Sequence, residues 1–208
     1  MTSKIRFRGA TSGFVELAAP DAAGSNTLTL PTGNGTAGQY LQTAGSSGEL
    51  SWQTVTDSGF ESYAVICDQK TQDTDGGAFT NGAWRTRDLN TEILDPDGIV
   101  SISSNQFTLA AGNYLIEWFA PAANVGAHRA RLYDVTGTAA VQLGGNAHSS
   151  ASAYNTYSFG SARVTPTSSN VYRIEHRCED GTASALGFGY RSNLDVEIYT
   201  VVRVFKEA

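Results

Sequence analysis

Two hundred and eight residues, 40% hydrophobic and only 16% charged, suffice for one ordinary domain plus an appendage, and the composition is that of a globular chain with little charge. The net charge of -6 argues against general nucleic-acid binding, because the Lys and Arg stripe that neutralises phosphates is absent over most of the chain. Two cysteines cannot make a disulfide scaffold, no charged segment followed by an apolar run opens the chain, and no apolar stretch approaches the roughly 20 residues that span a bilayer, so neither a Sec-exported nor a membrane protein is expected.

At the start of the chain Lys4, Arg6 and Arg8 alternate with Ile5 and Phe7, with no acid among them. In an extended strand this makes one face basic and the other apolar, so Lys4, Arg6, Phe7 and Arg8 are candidate anchoring residues for an acidic protein surface. A solvated strand end is the plain alternative.

Short alternations follow at Phe14-Val15-Glu16-Leu17, Thr27-Leu28-Thr29-Leu30, Gln39-Tyr40-Leu41-Gln42 and Leu50-Ser51-Trp52, strung between clusters of Gly, Ser, Thr, Asn and Ala. Each reads as a strand with almost nothing beside it to pack against. Burying a Leu or Phe side chain stabilises by roughly 1.5–3 kcal/mol, whereas ordering one residue costs about 1–2 kcal/mol, so this arm is not expected to fold as a lone copy. The expected partner is another copy of the chain, with a flexible linker as the alternative. Within the arm, Gly33-Asn34-Gly35-Thr36-Ala37-Gly38 matches G-x-G-x-x-G, but Pro31 precedes it and a strand follows where a dinucleotide site needs a helix N-terminus, so a turn is expected.

The polar junction Thr54-Val55-Thr56-Asp57-Ser58-Gly59 marks a boundary, giving an arm over 1–58 and a larger domain over 59–208. From there strands are predicted near 60–70, 79–90, 98–109, 112–120, 127–134, 138–146, 153–165, 170–178 and 194–206, and no segment carries a helical period. Cys67 and Cys178 fall within alternating strands, where buried free thiols are the commoner outcome, although a bridge between them stays open. In the last strand Leu194, Val196, Ile198, Val202 and Val204 are predicted on one face, with Asp195, Glu197, Arg203 and Lys206 on the other. Segment 112–120 is apolar on both faces, with Tyr114, Ile116 and Trp118 opposite Leu115 and Phe119, so its outer side is expected at a subunit interface. Eight or more antiparallel strands without helices fit a two-sheet sandwich, most simply a jelly roll.

Chemistry-bearing patterns are sparse. Asp73-Thr74-Asp75-Gly76 and Asp95-Pro96-Asp97-Gly98 resemble the start of a calcium loop, but Trp84 and Gln106 stand where the bidentate Glu belongs, so turns are expected, with a weak cation site at Asp73 and Asp75 as the alternative. His128, His148 and His176 are scattered, without metal-ligand spacing, and no G-x-S-x-G occurs. No catalytic residue, cofactor or metal is assigned. Arg129, Arg131, Arg173, Glu175 and Arg177 occupy alternating strand positions and are expected to pair across strands or between subunits.

Trp84-Arg85-Thr86-Arg87-Asp88-Leu89-Asn90-Thr91-Glu92, then Ser104-Asn105-Gln106-Phe107-Thr108-Leu109 and Ala111-Gly112-Asn113-Tyr114, resemble the C1q/TNF-like jelly-roll domains of bacteriophage virion proteins. There the phrase F-T-L-x-A-G-x-Y leads from one strand into the next, and Arg129 to Asp134 and Val196 to Thr200 are similar to the same group. The arm segments Val15 to Pro20, Gly24 to Pro31, Gly38 to Thr43 and Leu50 to Trp52 resemble a recurring segment of tail-fibre and other virion proteins, notably of cyanophages.

The resemblance implies an all-β homotrimer with intertwined arms, and no catalytic activity. Lys4, Arg6, Phe7 and Arg8 become candidate particle-anchoring residues, and Tyr114, Trp118, Phe119 and Tyr199 candidate trimer-interface residues. The expected role is a capsid decoration, cement protein or short head fibre at the virion surface, assembled in the host cytoplasm, whose partners are itself and a major capsid or other virion protein. Some fifty residues at about 3.3 Å each make only a short stalk. The alternative is a receptor-binding tail-fibre tip that recognises host-surface glycan or protein through loop residues such as Trp84, His148, Tyr154 and Tyr157, although such aromatic rings are more often sandwich core. Nucleic acid and membrane are not expected partners.

Overall fold

The structure is a computed structural model that describes residues 4–18, 21–22, 24–44, 48–55, 59–150, 154–182 and 184–208. The chain divides into two compact units, Met1–Thr56 and Asp57–Ala208. Residues 56–58, next to the boundary expected near residue 58, lie outside the described residues.

In the first unit, β1 (Lys4–Arg8) pairs with β2 (Phe14–Ala18), and β3 (Gln39–Thr43) with β4 (Leu50–Thr54), both antiparallel. The segment predicted as a strand at 27–30 makes only a single bridge, from Thr29 to Glu49. Its backbone is held by bonds from Thr29 N to Gly48 O (3.0 Å) and from Leu50 N to Thr29 O (2.8 Å). The glycine-rich turn seats a tryptophan: Trp52 Nε1 donates to Gly33 O at 2.8 Å, and a Cβ on Gly35 would lie 2.6 Å from the indole. Glycine is needed at Gly35 for that close approach.

The second unit contains β5 (Phe60–Lys70), β6 (Arg85–Thr86), β7 (Thr91–Leu94), β8 (Val100–Ser103), β9 (Gln106–Leu109), β10 (Tyr114–Ala122), β11 (Gly126–Asp134), β12 (Ala139–Leu143), β13 (Ala147–Ser149), β14 (Thr156–Val164), β15 (Asn170–Cys178) and β16 (Glu197–Glu207). No helix occurs among the described residues. One sheet runs β14-β10-β16-β5-β7; the other runs β12-β11-β15-β9-β8, with β13 on β11 and β6 on β15. Every strand pairing in this unit is antiparallel. The chain passes repeatedly between the two sheets, so that β10, β14 and β16 lie in one and β11, β12 and β15 in the other, which is the winding of a jelly-roll sandwich.

Period-two alternation builds the core. Ile66, Ile116, Trp118 and Val202 from one sheet meet Phe107, Leu109, Leu132 and Ile174 from the other, all with no exposed surface. Trp118 fits because Gly160 lies directly opposite it on β14; a Cβ there would come within 2.3 Å of the indole. A second cluster of Phe79, Ala122, Val125 and Cys178 packs against Phe188.

Three predicted features change. Segment 79–90 is not one strand: Thr86 pairs with Glu175 on one sheet, whereas Asn90 N bonds to Cys67 O (3.0 Å) on the other, so the segment crosses between layers. Segment 98–109 is a tight hairpin, β8 and β9, turned by Ser104 (φ 52°) and Asn105 (φ 61°). In the last strand Leu194, Val196 and Ile198 are exposed and Glu197 is buried, the reverse of the predicted faces, while Val202 and Val204 point inward as predicted. The cause is an irregularity between Ile198 and Val201 that changes the strand's register and resets its alternation. Glu197 tolerates burial because its carboxylate accepts from Ser192 N (2.8 Å), Ser192 Oγ (3.0 Å) and Asn193 N (2.6 Å).

Candidate functional site

The outer face of the five-stranded sheet is the most distinctive surface of the second unit. On β10, alternation sends Leu115, Glu117 and Phe119 outward. Phe119 lies directly opposite both Phe159 on β14 and Val201 on β16; Leu115 opposes Phe205, and Phe205 opposes Tyr63 on β5. The Phe60 ring lies 5.0 Å from that of Phe205. Phe159 is 60% exposed, and Phe60, Tyr63 and Tyr157 about half exposed, so aromatic side chains span four neighbouring strands in contact with water. Ion pairs frame them: Arg163 forks onto Glu207 at 2.6–3.0 Å and Lys206 meets Glu61 at 2.8 Å. Apolar centre and charged margin together have the anatomy of a protein interface.

This geometry corrects three of the four predicted interface residues. Tyr114 and Trp118 belong to the inward parity of β10 and are sealed in the core, and Tyr199 is buried beside Gly189 with its hydroxyl donating to Thr74 O at 2.6 Å. A side chain consumed inside the sandwich cannot also meet a second subunit. Phe119 remains on the outer face.

The predicted anchoring tip lies on β1, where Lys4 pairs with Glu16 at 3.2 Å, Arg6 also pairs with Glu16, and the Arg6 guanidinium sits 4.1 Å from the centre of the Phe14 ring. Glu16, on the neighbouring strand, thus takes up part of the positive charge that the spacing of β1 alone suggests. Ile5, Phe7, Phe14, Val15 and Leu17 are each more than half exposed.

The predicted loop residues separate. His148, on β13, and Tyr154 are exposed, and Ser149 Oγ, next in the chain to His148, donates to Tyr154 O at 3.2 Å. Tyr157 belongs to β14 and the apolar face, and Trp84 is half-buried beneath Arg131, whose guanidinium lies 4.1 Å from the ring centre.

The fold also assembles a buried polar network that the sequence spacing does not reveal. Arg87 is fully buried and donates to Thr200 Oγ1 (2.6 Å), Pro121 O (3.1 Å) and Phe188 O (2.8 Å) while lying over the Phe188 ring. Burial pulls its guanidinium down to about 10, so it stays charged at neutral pH. Nearby, His128 Nδ1 and His176 Nε2 are 2.9 Å apart, and His128 Nε2 is 2.8 Å from Thr156 Oγ1. Burial first, then the Arg87 charge, hold His128 down to about 4 and His176 well below its ordinary value, so both rings are neutral at pH 7. The two histidines lie 48 residues apart and on adjacent strands, a proximity that only the β11–β15 register creates.

The carboxylates of the alternative cation site, Asp73 and Asp75, are engaged by an arginine. Arg191 meets Asp73 at 2.6 Å and Asp75 at 2.8 Å, so a guanidinium stands where a metal would. Asp95 caps the amides of Ile99 and Val100 at 2.9 Å, the expected turn. No cluster of potential metal ligands occurs among the described residues. Cys67 and Cys178 are buried free thiols, both pushed up to about 11, chiefly by burial.

No protein-family model matches the sequence, and no curated protein matches it. Among solved structures, the globular domain of zebrafish complement 1qA is similar at 16% identity over 69% of this chain and 95% of that one, with a TM-score of 0.46. Murine APRIL is similar at 9% identity over 70% and 98%, with a TM-score of 0.45. The PRD1 vertex protein P5 is similar at 14% identity over 72% and 99%, with a TM-score of 0.44.

Proposed function

We propose that this chain is a non-enzymatic virion surface protein that works as a homotrimer, its N-terminal arm fixing it to the particle and its jelly roll displayed as a capsid decoration, cement or short head fibre. The observation that carries this reading is the aromatic outer face of the five-stranded sheet, from Phe159 through Phe119 to Phe205 and Phe60. A lone chain leaves these rings in water, and covering each gains roughly 1.5–3 kcal/mol. Three copies arranged head to tail around one axis would cover every such face and leave none over, since a heterologous contact that closes makes a ring.

The arm supports the same reading. Its hairpin exposes Ile5, Phe7, Phe14, Val15 and Leu17, and an isolated two-stranded hairpin is marginal in water, so it needs a partner surface. The virion setting rests on the likeness of the arm segments and of the Phe107-Thr108-Leu109 to Tyr114 phrase to phage virion proteins. A second reading, a receptor-binding tip, draws on exposed His148 and Tyr154.

Electron microscopy of intact particles assembled with the full chain or with residues 1–55 deleted tests the proposal. The reading expects density distributed over the capsid shell with the full chain and none with the deletion, while the truncated protein keeps a β-rich circular dichroism spectrum. Density confined to tail tips would favour the second reading, and unchanged attachment of the truncated form would overturn the anchoring role.

A further inference from the structure

The sheet on the other side of the sandwich carries a charge arrangement that the proposed assembly does not explain. On its outer face the β11–β15 register sets Arg129 directly opposite Arg177, Arg131 opposite Glu175, and Tyr133 opposite Arg173. Glu175 is almost fully buried and is shared by two cations, Arg131 Nη2 at 2.6 Å and Arg173 Nη2 at 2.5 Å. That leaves Arg129 and Arg177 facing each other with no carboxylate partner among the described residues. Like charges directly opposite on paired strands are destabilising, and a chain of net charge -6 has no general excess of cations to account for them.

The same place holds an unmet donor and a groove. Arg129 Nε is buried without a hydrogen-bond partner, a state that costs free energy unless something supplies an acceptor. Arg129 and Arg177 line an open groove of about 600 Å³ together with Trp84, Asn81, Asn146 and Glu179, a size suited to a small ligand or one to two units of a polymer. Glu179 is already engaged, its Oε2 accepting from Ala127 N at 3.2 Å. Trp84 is braced by the guanidinium of Arg131, which gives the groove a rigid aromatic wall. The Asn81 amide donates to Glu179 O at 3.1 Å, which leaves its own carbonyl oxygen as an acceptor.

We propose that this groove binds an acidic sugar unit of a glycan. The paired guanidiniums of Arg129 and Arg177 take the carboxylate, for which the planar Arg fork is matched in shape and charge. Trp84 packs against the apolar face of the ring, and Asn81 and Asn146 meet its hydroxyls. Binding of an anion relieves the repulsion across the strand pair. The groove belongs to the sheet opposite the aromatic face, and the described residues of one chain line it.

Titration calorimetry of the full chain with oligogalacturonate, with the matching neutral oligosaccharide, and with inorganic phosphate tests this. The acidic oligomer is expected to bind, with an affinity that falls as salt rises, and the neutral one not to bind. Arg177→Gln should weaken binding about tenfold or more, yet raise the melting temperature of the free protein, because it removes a like-charge contact. A purely structural Arg177 would lower the melting temperature instead. Trp84→Leu should weaken oligogalacturonate while leaving any phosphate binding unchanged. Equal binding of the neutral oligomer, phosphate binding as tight as that of the acidic sugar, or full affinity in Arg177→Gln would each overturn the proposal.

Discussion

The hairpin at residues 4–18 and strand β10 share one sequence rule and reach opposite results. Both send successive side chains to opposite faces and place large apolar groups on one of them, yet Ile5, Phe7, Phe14, Val15 and Leu17 are each more than half exposed, whereas Tyr114, Ile116 and Trp118 are at most 1% exposed. The difference is the second layer. Strand β10 lies between β14 and β16 and beneath a second sheet, so its inner face meets Phe107, Leu132 and Ile174, while β1 pairs with β2 in a two-stranded sheet among the described residues. Alternation therefore prepares a face, and only a partner turns it into a core.

The sharpest way to break that contrast is Trp118→Ala, which empties the centre of the sandwich and should cost about 3–5 kcal/mol in urea unfolding of the full chain. Gly160→Ala approaches the same site from β14. Its new methyl group meets the Trp118 indole, and a loss of about 1–3 kcal/mol is expected by the same measurement.

A further effect is pH-dependent. The folded state holds His128 near 4 and His176 well below the ordinary 6.5, so between about 4 and 6.5 the unfolded chain binds more protons than the folded one. Stability should be full above pH 6.5 and decline as pH falls through that window. Thermal melts at a series of pH values will show the slope, and His176→Asn should flatten it. The smallest effect belongs to the hairpin: Phe7→Ala should leave the unfolding free energy of the second unit within about 0.5 kcal/mol of the parent, as expected for an exposed side chain.

Strong local signals carried through from sequence to structure. Strands 60–70 and 170–178 appear at their predicted bounds, because both are long, alternating and flanked by polar turns. The hairpin at 100–109 was hidden because its turn uses Ser104 and Asn105 at positive φ, without the glycine that announces such turns. An irregularity near the start of β16 reversed half of that strand's predicted faces, since one irregular step is enough to exchange inside and outside.

At the candidate sites the limits were of another kind. The two-sided apolarity of residues 114–119 was legible, but which parity faced outward depends on where the second sheet lies, so Tyr114 and Trp118 turned out inside and Phe119 outside. Arg87, inside an unremarkable polar run, is fully buried because three carbonyl and hydroxyl oxygens from distant segments converge on it. The opposition of Arg129 and Arg177 likewise exists only once the register is set. Alternating positions in the sequence showed that these arginines share a face, not that two of them would lack a partner.

The proposed trimeric role turns on whether copies of the chain cover one another's aromatic faces. Sedimentation equilibrium over low-micromolar concentrations measures this directly, with Phe159→Asp as the comparison. The parent should sediment at three times the 22.0 kDa chain mass and the variant at one, both with the same β-rich circular dichroism spectrum. A parent that sediments as a stable single chain, or a variant that stays trimeric, would contradict the interface assigned to the outer face of the five-stranded sheet.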